Sequence, residues 1–161
     1  MSGWDNFFLG ELGAAAALTG LLFVSVSVNQ AKILTLGRMA DRGLEALAML
    51  FLVLAVASLA LVPGQPLRLL GSEIAALALA LLAVLVPLQN GYLRHTDPPH
   101  RPRARHMVRV NQLAIALVAL GGLVVTWRSD AAGFYVLAPG ILLIFIGAGA
   151  NAWVLLIEIN R

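Results

Sequence analysis

Charged residues divide this chain into long uncharged runs. Between Glu11 and Lys32 lie 20 residues without a charge, and between Glu45 and Arg68 there are 22. The next runs are 20 residues between Glu73 and Arg94, 18 between Arg109 and Arg128, and 27 between Asp130 and Glu158. Each is rich in Leu, Ala, Val, Ile and Gly. A bilayer core of about 30 Å takes roughly 20 such residues at about 1.5 Å rise each. The chain therefore reads as an all-α polytopic membrane protein. Its five transmembrane helices are expected at about 7–28, 44–62, 73–93, 107–127 and 134–158.

The chain is 60% apolar and 12% charged, against about 25% charged in an ordinary soluble domain. Its 161 residues make one membrane domain, 1–161, with no room for a separate soluble one. Cysteine is absent, which excludes disulfides, thiolate metal sites and cysteine nucleophiles. Ten arginines against one lysine, with abundant alanine, suggest a GC-rich bacterial genome and hence the bacterial cytoplasmic (inner) membrane.

Loop charges set the expected topology. The first and third connections and the C-terminus hold nine basic residues: Lys32, Arg38, Arg42, Arg94, Arg101, Arg103, Arg105, Arg109 and Arg161. The opposite side holds Arg68 and Arg128. Basic residues in short loops stay cytoplasmic, so the N-terminus is expected outside and the C-terminus inside. The N-terminal run lacks the basic start of a signal peptide and reads as a retained helix. Trp4, Phe7, Phe8, Trp127, Phe134 and Tyr135 mark one interface and Tyr92 and Trp153 the other, or half of them pack between helices instead.

Small residues glue helices in lipid by letting backbones approach. Gly13, Ala17 and Gly20 follow helical spacing on the first helix, and Gly140 and Gly147 do so on the fifth. These are expected helix contacts. Pro87 and Pro139 each free a carbonyl within a helix and are expected kinks. Pro63-Gly64-Gln65-Pro66 ends the second helix, Ser72 is the expected N-cap of the third, and residues 94–106 read as an exposed loop.

Polar groups at membrane depth are expensive and carry the candidate functions. Glu11 lies about 6 Å inside Phe7, on one face with Ala15, Leu18, Leu22, Ser25 and Asn29. It pairs with Arg68 or Arg128, is protonated, or faces water. Asn151 is expected to hydrogen-bond another helix, with pore lining as the alternative, and Glu158 continues its face. Asn111 and Gln112 are read as partners of loop backbone. The basic loop, with His95, His100 and His106, matches no zinc spacing. It reads as a topology determinant that attracts anionic lipid headgroups rather than nucleic acid.

No zinc-protease, phosphate-loop or serine-elbow motif is present. No catalytic, cofactor or metal residue is assigned, and an enzyme is not expected. The string from Gly13 through Ala17-Leu18-Thr19-Gly20 to Asn29 resembles small bacterial multi-pass membrane proteins. So do Leu61-Val62-Pro63-Gly64-Gln65 and Leu70-Gly71-Ser72-Glu73. Some members of that family bear the label "modulator of FtsH protease". The resemblance covers about the first half of the chain and implies a regulatory partner in the membrane.

Two functions follow. The favoured one is a homo-oligomer forming an ion channel or pore, with Glu11, Asn151 and Glu158 as candidate lining. The alternative is an accessory or regulatory subunit of a larger membrane complex, such as a membrane protease.

Overall fold

The computed structural model describes residues 3–28, 38–94 and 96–157, with backbone alone at 38–40 and 154–157. Glu158 lies outside the described residues. Five helices follow in order: α1 Trp4–Val28, α2 Arg38–Ala60, α3 Leu67–Arg94, α4 Arg101–Arg128 and α5 Ala132–Ile157. Each contains a stretch long and apolar enough to cross a membrane, and no strand occurs among the described residues.

Several boundaries differ from those read in the sequence. α4 starts at Arg101, not near 107, because Pro102 suits the first turn of a helix. Ala104, Val108, Asn111 and Ile115 then form a buried stripe between the arginines. Residues 94–106 are thus only partly a loop. α3 starts at Leu67, directly after Pro66, so Ser72 is not an N-cap. Its hydroxyl lies within the helix and donates to the Leu69 carbonyl at 2.7 Å.

The chain divides into two compact units. The first joins residues 1–61 with 144–161, and within it α1 packs on α2. α1 buries Phe8, Ala15, Leu22 and Ser25. α2 buries Ala46, Leu50, Val53, Ala57 and Ala60 at alternating steps of four and three, the spacing of one helix face.

The second unit spans 62–143 and is an antiparallel run of α3, α4 and the first half of α5. Glycines set its spacing. A methyl group added at Gly71 would lie 2.6 Å from the Gly122 carbonyl oxygen, and one at Gly122 would lie 2.7 Å from the Ala75 nitrogen. Gly121 and Gly133 meet in the same manner between α4 and α5, and Gly140 approaches the Ala114 carbonyl. Only residues without a Cβ permit such backbone contact. Of the five small residues expected at contacts, Gly140 has this close approach, while Gly147 is half-buried.

Gly13, Ala17 and Gly20 are not at a helix contact within the described chain. All three are exposed, and a Cβ built at Gly13 or Gly20 meets nothing within 4 Å. The packed face of α1 lies about half a turn away, where Phe8 and Leu22 fill space with apolar bulk.

Candidate functional site

Three polar arrangements lie within the spans. The first is on α1. Glu11 shares the packed face with Phe8, Ala15, Leu22 and Ser25, and its Oε2 is buried with no hydrogen-bond partner among the described residues. The Thr19 hydroxyl is likewise buried and unpartnered there. Ser25 satisfies its own hydroxyl by donating to the Leu21 carbonyl at 2.7 Å. Arg68 and Arg128, named above as possible partners of Glu11, make bonds within the second unit. Arg128 Nε pairs with Asp130 Oδ2 at 3.0 Å, and Arg68 Nε donates to the Ser129 hydroxyl.

The second arrangement joins α2 to α5. Arg42 Nη2 donates to Asn151 Oδ1 at 3.1 Å, and Asn151 is buried. The expected bond from Asn151 to another helix thus has an arginine as its donor.

The third joins α3 to α4. Gln112 Nε2 donates to Gln89 Oε1 at 2.8 Å, with Gln89 buried two residues beyond Pro87. Gln112 is therefore a helix-to-helix partner, not a partner of loop backbone. α3 continues through Pro87, and α5 through Pro139; both prolines are exposed. Their missing N–H groups leave the Ala83 and Tyr135 carbonyls without the usual helical donor.

The two ends of the second unit differ in chemistry. At one, Asp130 accepts from the Ala132 backbone N–H at 2.9 Å and from Arg128. The backbone bond first, and Arg128 second, hold its carboxyl below the usual aspartate range. Ser129 closes α4 in the left-handed conformation (φ 55°), and its N–H donates to the Val125 carbonyl. Nearby, Gln65 donates to the Glu73 carboxylate. Trp127 and Tyr135 flank this end and are 82% and 72% exposed, whereas Phe134, assigned to the same interface, is buried between helices, as is Phe8 on α1.

At the other end, Asn90, Leu93 and Arg94 from α3 face Arg101 and Arg105 from α4 across a depression of about 430 Å³. The sequence held the signal for this grouping: Asn90 and Arg94, like Arg101 and Arg105, are one helical turn apart. Among the described residues no three His, Asp or Glu side chains gather as metal ligands.

Family models, curated proteins and solved structures were all compared with this chain, and none matches it.

Proposed function

We propose that this chain is a non-conducting subunit of a membrane assembly. It is built from several copies of itself joined through the open face of α1, and its role is accessory or regulatory. The carrying observation is the contrast between two sets of glycines. Gly71, Gly121, Gly122, Gly133 and Gly140 are all filled by a neighbouring helix, whereas Gly10, Gly13 and Gly20 gather on α1 with nothing within 4 Å, as do the single glycines Gly91 of α3 and Gly149 of α5. An exposed glycine weakens a helix by about 1 kcal/mol relative to alanine. In lipid a small-residue stripe is the signature of a helix contact. α1 is also the least covered of the five spans.

The polar groups favour this reading over a channel. Conduction needs a polar line along a path. Asn151 and Gln89 are instead bonded within their own units, and Glu11 lies on the packed face of α1, away from the small-residue face. The basic asymmetry supports an outside N-terminus in this assembly, and the composition supports a bacterial inner membrane.

The test compares Gly20→Leu with the parent chain in detergent and in lipid, by native mass spectrometry and far-ultraviolet dichroism. Retained helicity with loss of the oligomer is the expected result. An unchanged oligomer would overturn the α1 contact. A parent conductance in planar bilayers would restore the channel reading.

A further inference from the structure

The depression between the ends of α3 and α4 has the features of an anion site. Arg94, Arg101 and Arg105 line it together with Asn90 and Leu93, and no carboxylate is among its described lining residues. Its volume, about 430 Å³, falls in the range of small-ligand sites, about 300–1,000 Å³. Arg101 is held in place, since its Nη2 donates to the Thr96 carbonyl at 3.2 Å. Thr96 is in turn buried and anchored by its own hydroxyl to the Tyr92 carbonyl. Yet Arg101 Nε is buried with no acceptor among the described residues. A buried guanidinium donor without an acceptor is unfavourable by about 1–3 kcal/mol or more. That atom has no accessible surface, so Arg101 contributes its charge to the depression rather than this donor.

The backbone adds to the same field. Arg101 opens α4, and the N-cap residue, His100, makes no side-chain capping bond. The helix N-terminus adds a partial positive charge, which favours an anion, although the Arg101 N–H is taken by the Asp97 and Pro98 carbonyls and Pro102 has none. Arg94 and Arg105 are exposed and make no ion pair among the described residues. Planar guanidinium groups match the oxygens of phosphate in pairs. The site also lies at the ends of two helices long and apolar enough to cross a membrane, where a spanning helix would meet lipid phosphates. Leu93, half-buried on its wall, offers an apolar contact below the charges.

We infer that Arg94, Arg101 and Arg105, with Asn90, form a binding site for a phosphate group, that of an anionic lipid headgroup or of free phosphate. Arg103 supplies the control. It is exposed on the same turn of α4 and does not line the depression. A site predicts that Arg103 is dispensable, whereas a diffuse basic surface makes all these arginines equivalent.

The experiment uses the full chain and the single variants Arg94→Gln, Arg105→Gln and Arg103→Gln. The first two are exposed side chains, so folding is retained and is checked by dichroism. In one arm, protein from phosphatidylcholine vesicles doped with phosphatidylglycerol is examined by native mass spectrometry for retained lipid. In the other, inorganic phosphate is titrated against thermal unfolding in neutral detergent. Retention of phosphatidylglycerol, weakened about tenfold or more by Arg94→Gln and Arg105→Gln but unchanged in Arg103→Gln, identifies the lipid as the source. The same pattern in the phosphate arm alone identifies a soluble phosphate. Equal losses in all three variants, or no binding of either probe, would overturn the site.

Discussion

Arg42 of α2 and Asn151 of α5 meet side chain to side chain at 3.1 Å, one of them ionised and the other buried. They tie residues 109 positions apart, within the unit that contains both ends of the chain. Asn151→Leu removes the acceptor and leaves Arg42 short of it. Polar bonds between membrane helices average about 0.6 kcal/mol and reach about 1.7. A double-mutant cycle with Arg42→Met should return a coupling of about 1 kcal/mol in that range, read from reversible unfolding in mixed micelles. Additive effects of the two substitutions would mean that the bond contributes nothing.

The Gln89–Gln112 pair gives an asymmetric prediction. Gln89→Leu alone strands the Gln112 amide and should destabilise the second unit by about 1–3 kcal/mol. The double replacement Gln89→Leu with Gln112→Leu removes both members of this bond and should recover the part of the loss that comes from the stranded Gln112 amide. Thermal unfolding of the three variants in one detergent checks this. A double variant no better than the single one would show that shape, not the hydrogen bond, governs the contact.

Gly122 and Gly20 separate folding from assembly. At Gly122 a single methyl would strike the Ala75 backbone nitrogen at 2.7 Å. Backbone cannot give as a flexible side chain can, so Gly122→Ala should destabilise the fold by about 1–3 kcal/mol. Gly20→Ala meets open space and should leave the subunit as stable as the parent, or slightly more so. Denaturant midpoints of the two variants should therefore move in opposite directions or differ by the full cost at Gly122.

Much of this architecture is legible in the sequence alone. Uncharged runs between Glu11, Lys32, Glu45, Arg68 and the later charges mark the five spans, because charge exclusion acts along the whole length of a span. The ends were less legible. At Arg101–His106 the charges conceal a helical turn whose buried member is Ala104, a residue too small to stand out. The small-residue face of α1 is partly legible. Gly13, Ala17 and Gly20 have the spacing of a contact, and spacing does not say whether the partner lies in the same chain. For the polar residues, the pattern located Asn151 and Gln89 at membrane depth. Their partners, Arg42 and Gln112, depend on which helices pack together, which one-dimensional pattern does not contain.

Asp130 gives a pH prediction at the junction of α4 and α5. Its carboxyl is held below the usual range by the Ala132 N–H and by Arg128. A depressed folded-state pKa contributes stability above the unfolded value, about 3.9 for aspartate, and loses it as pH falls through the folded value. Acidification from neutrality should therefore loosen this turn only below the ordinary aspartate range. Carbon-13 detection of the Asp130 carboxyl should show the low titration directly. Asp130→Asn should remove the acid-dependent step, and titration at or above the ordinary value would refute the assignment.

Glu11 tests the choice between assembly subunit and channel. Its Oε2 is buried without a donor, on the face of α1 that also buries Phe8, Ala15 and Leu22. A carboxyl there contributes no hydrogen bond to the described structure and bears a desolvation cost of about 1–3 kcal/mol. Glu11→Gln keeps the shape and adds an N–H₂ group that can donate. Glu11→Leu removes the orphan oxygen altogether. In the assembly reading both variants keep the oligomer, because the open face of α1 lies away from Glu11, and Glu11→Leu unfolds at a higher temperature than the parent. Neither variant alters bilayer conductance, which stays at background for the parent too. A pore makes the opposite demand. Carboxylates along a path favour cations, so the parent would conduct and Glu11→Gln would lower its cation preference. Planar-bilayer recording beside thermal unfolding of the same preparations decides between the two, since a selectivity change with no gain in stability would place Glu11 in water and remove the case for a non-conducting assembly.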